Sequence, residues 1–381
     1  MKKITIWHTE VKIELAYSLL PLILAHRHKE FEDYSFTFFN SKTNDHQSLP
    51  ESDIIILCRI FNDPKLSNSN IAEICNHLKN KCKRLIYFDD QDGSDGISKT
   101  ILDNVHLYWK KQILEDLSLY TIDSVSRHPF GNYFSERHFP TESSLFREKL
   151  DLESLSKLRL AWNLGIGLYP TGHNPIWGRY MTSVIYHFLK NASRFQNIQL
   201  VAPICEFAYN NMLQSLQAEI KPKKSNSPLV SARFTHKNYP PTIGAQRLIF
   251  NESLQAYPQI KTGFTSFKNY YHELNHSTAV ISPFGWGEVC FRDFEAVLAG
   301  SLLIKPSMGH LRTWPDIYSP ECSYLISWDG SDLDEVLQLT FENHINWDIV
   351  QNARIVYRKG LEGIFSRLHK LLEEACLEKL T

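Results

Sequence analysis

Four short runs rich in β-branched and aromatic residues fall within the first 90 positions: "KITIWH" ending at His8, "YSFTFFN" at 34–40, "SDIIILCRIF" from Ser52, and "KRLIYFDD" ending at Asp90. Helix-like segments lie among them at 11–29 and 68–81. Runs this short and this apolar read as strands, and strands alternating with helices predict a parallel sheet covered by helices. That single pattern narrows the chain to an α/β architecture.

A second alternating series begins at "KLRLAWNLG" (157–165). It continues with a helix near 176–193, "IQLVAPI" as a strand, "LVSARFTH", a helix at 243–256, "IKTGF", a helix at 267–276 and "TAVISPFG". The strands "SLLIKP" and "CSYLISW" and two helices at 331–343 and 346–376 complete it. The polar stretch 140–157 reads as a connection, and 217–228 as an exposed loop. The expectation is two Rossmann-like domains, 1–150 and 151–345, with 346–381 packing back on the first. A chain of 381 residues suits two domains of ordinary size. In such sheets ligands sit in the crevice at the strands' carboxyl ends.

Forty-one basic and 42 acidic residues leave a net charge of −1, so the global basic field that nucleic-acid binding draws on is missing, and no nucleic-acid partner is expected. Seven cysteines without CxxC spacing argue against a disulfide framework and a zinc site, and for a reducing, cytoplasmic setting. "MKKITIWHTE" turns polar too soon for a signal peptide. The most apolar run, "LAYSLLPLILA" (15–25), is too short to span a bilayer and reads as the first core helix, a reading compatible with peripheral membrane attachment.

The chemistry concentrates in "SPFGWGEVCFRDFEAVLAG" (282–300). Phe291, Phe294 and Leu298 form an apolar helical stripe, and Arg292 and Glu295 neighbour each other beside it. Pro283, Gly285 and Gly287 bring a turn to the helix N-terminus, where partial positive charge and free N–H groups suit a diphosphate. Arg292 can add a bidentate phosphate contact, and a carboxylate such as Glu295 can accept both hydroxyls of a ribose. The plainer reading is an i, i+3 salt bridge, and spacing alone does not choose. Gly165 and Gly167 in "WNLGIGLYPTG" would let backbone amides approach a phosphate, or form an ordinary turn. Arg233, His236 and Lys237 end another candidate strand and could face the same crevice.

The block 270–306, "YYHELNHSTAVISPFGWGEVCFRDFEAVLAGSLLIKP", resembles the exostosin-type pattern of GT-B glycosyltransferases. The matching residues are Tyr271, Leu274, Ser277, Pro283, Gly285, Arg292, Glu295, Ala296 and Gly300, and 305–318 looks like the tail of family 1-like bacterial glycosyltransferases. The resemblance implies a GT-B fold and a nucleotide-sugar donor, with UDP or GDP foremost, held by the C-terminal domain. It places Glu295 on the ribose and Arg292 near the phosphates, with the glycine turn, Trp286, Glu288 and Lys305 close by. The spaced glutamate pair of retaining enzymes would need an acid at 287. This chain has Gly287 there and Glu288 one residue on, which favours inversion.

Inversion requires a base for the acceptor hydroxyl. His8 ends the first strand, and "FDDQDGSDG" (88–96) offers Asp89, Asp90, Asp92 and Asp95. His8, Asp90 and Asp92 are the candidates, although an acidic, solvated turn explains the loop equally. An Asp-x-Asp can also hold a divalent ion on a diphosphate. Its place in the acceptor half leads to the expectation of metal-independent transfer. Lys110, Lys111, His128 and Arg137 are candidate anchors for an anionic acceptor, and Trp286 is the tryptophan best placed for sugar stacking, ahead of Trp162, Trp177 and Trp314. The expected activity is transfer of a sugar to a saccharide or glycoconjugate acceptor, as in polysaccharide biosynthesis. The rivals are a nucleotide-sugar epimerase or hydrolase of the same architecture and a non-catalytic nucleotide- or glycan-binding module.

Overall fold

A computed structural model describes residues 1–9, 12–41, 43–62, 65–124, 130–142, 147–170, 175–192, 198–223 and 229–377. In chain order the elements are β1 (Lys2–His8), α1 (Ile13–Ala25), β2 (Tyr34–Asn40), β3 (Ser52–Cys58), α2 (Asn68–Lys79), β4 (Cys82–Asp89), α3 (Lys99–Asn104), β5 (Leu107–Lys110), β6 (Gln112–Leu114), α4 (Gly131–Glu136), α5 (Leu152–Ser156) and β7 (Leu158–Leu160). Two long helices follow, α6 (Pro175–Lys190) and α7 (Ile198–Gln217). Next come β8 (Val230–Ala232), α8 (Pro241–Ser253), β9 (Lys261–Thr262), α9 (Phe267–His276), β10 (Ala279–Ile281), α10 (Phe291–Ala299), β11 (Leu302–Pro306), β12 (Leu311–Thr313) and β13 (Tyr324–Ile326). The chain ends with α11 (Leu333–Phe341), α12 (Trp347–Glu362) and α13 (Ile364–Leu377).

The fold is α/β, with two parallel sheets. One has the order β2-β1-β3-β4-β5-β7 and the other β13-β11-β10-β8-β9. The central strands explain the order. Ile4, Ile6 and Trp7 of β1, Ile54–Cys58 of β3 and Leu85–Phe88 of β4 are all buried, as a sheet covered on both faces demands. A third pairing was not foreseen. β6 leaves the first sheet and β12 the second, and they join antiparallel as a ribbon, Leu311 opposite Leu114. Such a pair is invisible to periodicity because its partners lie almost 200 positions apart.

Two expectations are corrected. "KLRLAWNLG" does not open the second sheet: β7 is the sixth strand of the first, pairing Tyr108 with Leu158. An edge strand offers unpaired N–H and C=O groups, and β7 takes up those of β5, with Ala161 N donating to Lys110 O at 2.8 Å. The first sheet therefore extends past residue 150, and the expected connection includes α5, capped by Asp151 on Ser154 N at 2.7 Å. Similarly, "IQLVAPI" is helix. Its apolar positions continue as Ile198, Ala202, Cys205, Tyr209, Met212 and Leu216, a buried stripe of helical spacing far longer than a strand. α6 and α7 pack on α1 and on each other. The terminal segment breaks at Gly363 into α12 and α13, and α13 reaches the first half, where the His28 ring stacks on Phe365 at 3.9 Å. Among the described residues no helix is long and apolar enough to cross a membrane.

Candidate functional site

The segment 282–300 forms a strand end, a tight turn and α10. Gly285 N donates to Gly287 O at 2.9 Å, closing the turn. Gly287 is pressed against the first half: a Cβ there would lie 2.7 Å from Gly93 N and 3.1 Å from Asp92 Cβ. Side chains larger than hydrogen would force the two loops apart.

The helix start is anchored from beneath. Asp293 accepts from Cys290 N at 2.9 Å, Ser282 Oγ at 2.6 Å, Tyr318 OH at 2.8 Å and Lys305 Nζ at 3.0 Å. Asp293 and Lys305 are fully buried. Lys305 therefore sits under the turn as the counter-charge of Asp293, which a buried carboxylate requires, and is not among the residues that line the cavity.

A cavity of about 400 Å³ opens at the N-terminus of α10, between the carboxyl ends of the two sheets. Of the residues expected from sequence, it brings together Asp92, Arg233, Gly285, Trp286, Gly287, Arg292 and Glu295. The structure adds Glu14, Tyr239, Arg247, Phe264 and Tyr270.

Among the described residues no ion pair joins Arg292 to Glu295. Arg292 Nη2 donates to Arg233 O at 2.6 Å, and its buried Nε has no hydrogen-bond partner among the described residues. Glu295 accepts from Tyr270 OH at 2.7 Å and from Tyr271 OH. Burial raises its pKa. A carboxylate has about four lone-pair sites, so each oxygen keeps capacity for another donor. Arg233 is neutralised by Glu273, with Nε 3.1 Å from either carboxylate oxygen. Arg247 is different. Its guanidinium donates to the carbonyls of Phe284 and Thr235 and lies 4.0 Å from the Tyr239 ring centre, and burial lowers its pKa. No carboxylate among the described residues pairs with it. Arg247, buried, and Arg292, half-buried with a buried Nε, thus face one cavity with no ion pair to either among the described residues, and a buried charge without a partner is costly unless a ligand supplies one.

Other expected residues lie elsewhere. Gly165 and Gly167 are packing glycines. Cβ atoms there would stand 2.5 Å from the Phe294 ring and 1.7 Å from Tyr17, and neither glycine lines the cavity. Lys237 is exposed and off the cavity lining. Glu288 is buried and ties the halves together, accepting from Ser94 Oγ at 2.7 Å and from Gln112 Nε2, with His310 Nε2 3.8 Å away. His8 is fully buried with neither ring nitrogen bonded among the described residues, and burial pushes its pKa down to about 3. It is off the cavity and too weak a base at neutral pH.

The acidic loop is a set of ion pairs. Asp89 is 2.8 Å from Lys110, Asp90 2.8 Å from Arg59, Asp92 3.2 Å from Lys111 and Asp95 2.9 Å from Arg147. Asp92 alone of these carboxylates lines the cavity. Lys110 and Lys111 are committed to those pairs, Arg137 stacks 3.6 Å above the Tyr133 ring, and His128 and the Trp177 side chain lie outside the described residues. Trp162 is core, and Trp286 is half exposed, 5.8 Å from the Tyr239 ring.

Sequence reasoning passed over Glu14 and Arg247. Arg247 left a signal, since it occupies the buried stripe Ile243–Arg247–Phe250 of α8, where a cation needs a reason. Glu14 sits in the first turn of α1, and its Oε2 is buried without a hydrogen-bond partner among the described residues. A second cavity of about 490 Å³ adjoins the first, sharing Phe291 and Glu295.

No family model matches the chain, and no curated protein matches it in sequence. Among solved structures the chain is similar to HepE of Anabaena in complex with UDP, at 12% identity over 98% of this chain and 100% of that chain, TM-score 0.45. It is also similar to a glycosyltransferase from Rickettsia africae, at 13% identity over 100% of both chains, TM-score 0.45. A third similarity is to the UDP-GlcNAc 2-epimerase of Methanocaldococcus jannaschii, at 10% identity over 98% of this chain and 99% of that chain, TM-score 0.39.

Proposed function

We propose that this protein is a GT-B glycosyltransferase that moves a sugar from a nucleotide-sugar donor, with UDP or GDP as the nucleotide, to a saccharide or glycoconjugate acceptor. One observation carries the reading: the buried Arg247 and the half-buried Arg292, neither in an ion pair among the described residues, face a cavity at a helix N-terminus between two sheets. A diphosphate supplies the missing negative charge. Glu295 then meets the ribose, and Trp286, packed on Tyr239, flanks the sugar.

In the reaction the acceptor hydroxyl gives its proton to a carboxylate of the first half while its oxygen bonds to the anomeric carbon. The bond from that carbon to the diphosphate breaks, and its electron pair stays on the phosphate oxygen. Charge grows on the diphosphate as the bond breaks, where fixed guanidiniums act most strongly. Of the three expected bases, His8, Asp90 and Asp92, only Asp92 lines the cavity, and Glu14 joins it there as a second carboxylate from the first half. Because Asp89, Asp90, Asp92 and Asp95 already have cationic partners, we assign the loop no metal and infer metal-independent transfer, and Gly287, where a retaining enzyme's glutamate pair would need an acid, favours inversion. Seven free cysteines fit a reducing, cytoplasmic setting.

Donor turnover tests the proposal. Nucleotide release from UDP- and GDP-sugars is expected to accelerate when a saccharide acceptor is added, and to persist in EDTA. Equal release without acceptor would identify a hydrolase or epimerase. Binding without any turnover would identify a nucleotide-binding module. Loss of activity in EDTA would return the acidic loop to consideration as a metal site.

A further inference from the structure

Resting on the donor reading, we propose that Phe264 is the stacking platform for the nucleobase of the donor. Phe264 is 94% exposed, the most exposed large apolar side chain of the described residues, yet it lines the donor cavity. Its loop is short and held at both ends. Gly263 adopts φ +73°, a left-handed conformation that a side chain would strain. Before it, Thr262 O accepts from the Arg233 guanidinium, and after it, Ser266 caps α9 by accepting from Asn269 N at 3.3 Å. The loop thus presents the phenyl ring away from the core on a fixed support, where nothing among the described residues covers it.

The contacts order the cavity. Arg292 donates to the carbonyl of Arg233, and the Arg233 guanidinium to that of Thr262, so Arg233 ties the Phe264 loop to Arg292 along the wall of one cavity. A nucleoside diphosphate has its planar, apolar end at the far side of the ribose from its phosphates. With phosphates at Arg292 and ribose at Glu295, the base is the part left to cover Phe264. Stacking accepts any base, since every base has a π-face. Phe264 would therefore add affinity for nucleotides without choosing among them, and base identity would be read elsewhere.

The test compares Phe264→Ala and Phe264→Trp with the unaltered protein by calorimetric titration. The probes are inorganic pyrophosphate and whichever of UDP, GDP, CMP, ADP and dTDP binds most tightly. Phe264→Ala is expected to weaken the nucleotide by about tenfold or more, to leave pyrophosphate affinity unchanged, and to be rescued by Phe264→Trp. Unchanged nucleotide affinity, with pyrophosphate still bound, would overturn the platform and leave the donor site standing. So would an equal loss for both probes, which would place Phe264 in support of the anion site, or a change confined to the KM for a saccharide acceptor. Failure of the unaltered protein to bind either probe would overturn the donor reading itself, and the platform with it.

Discussion

Asp293→Asn is expected to destabilise the protein by about 3–5 kcal/mol, the cost of leaving one member of a buried ion pair uncompensated. Lys305 is fully buried, and its ammonium is 3.0 and 2.9 Å from the two oxygens of Asp293. The asparagine can keep Cys290 N and Tyr318 OH on its one oxygen, while its amide nitrogen faces Lys305 and Ser282 Oγ, so the loss falls on the ammonium, which is left without its counter-charge. Urea unfolding reads the effect as a lower midpoint. The double variant Asp293→Asn with Lys305→Met removes both charges and should recover much of the loss, because the isolated ammonium is gone. A normal midpoint for the single variant would mean that Lys305 finds its counter-charge elsewhere.

Glu295→Gln is expected to weaken nucleotide binding by about one to two orders of magnitude, since hydrogen bonds to a charged group contribute about 1.5–3 kcal/mol each. Size and helix propensity are kept. The charge is lost, and with it one of the two oxygens that accept from Tyr270 and Tyr271 and that would meet the proposed ribose. Arg292→Lys keeps charge but loses the planar fork. It should lower kcat more than donor affinity, because the diphosphate charge it meets grows in the transition state. Binding titrations and steady-state rates with a nucleotide-sugar and an active acceptor separate the two. Normal affinity and normal turnover in both variants would make α10 a purely structural helix.

The 282–300 stretch was legible because its information is local. Glycines at 285 and 287, an apolar stripe and two charged neighbours fix a turn, a helix and the side of it that faces the cavity. The strands β1 to β4 were legible for the same reason, each being a short apolar run buried on both faces. What sequence could not show was partnership. "KLRLAWNLG" reads as a strand, but which sheet receives it depends on the unpaired edge of β5, and the glycines that follow were shaped by Phe294 and Tyr17 rather than by a phosphate. Lys305 and Glu288 looked like ligand contacts because they flank the turn. Burial turned them toward Asp293 and toward Ser94 and Gln112. His8 stands at a strand's carboxyl end as expected, yet the core closes over it. Arg247 was open to detection, as a cation in a buried helical stripe, and it proved to be one of the two guanidiniums on which the functional reading rests.

Thermal unfolding in the presence of UDP, GDP, CMP, ADP and dTDP, each in excess, tests the donor cavity most directly. A nucleotide at 100 times its dissociation constant adds about 2.7 kcal/mol of stability, so at least one of the five should raise the unfolding temperature. That rise should shrink in Arg247→Lys, whose single ammonium cannot hold the carbonyls of Phe284 and Thr235 and a phosphate together. No rise with any of the five, or an undiminished rise in Arg247→Lys, would contradict a nucleotide diphosphate as the counter-charge of these arginines.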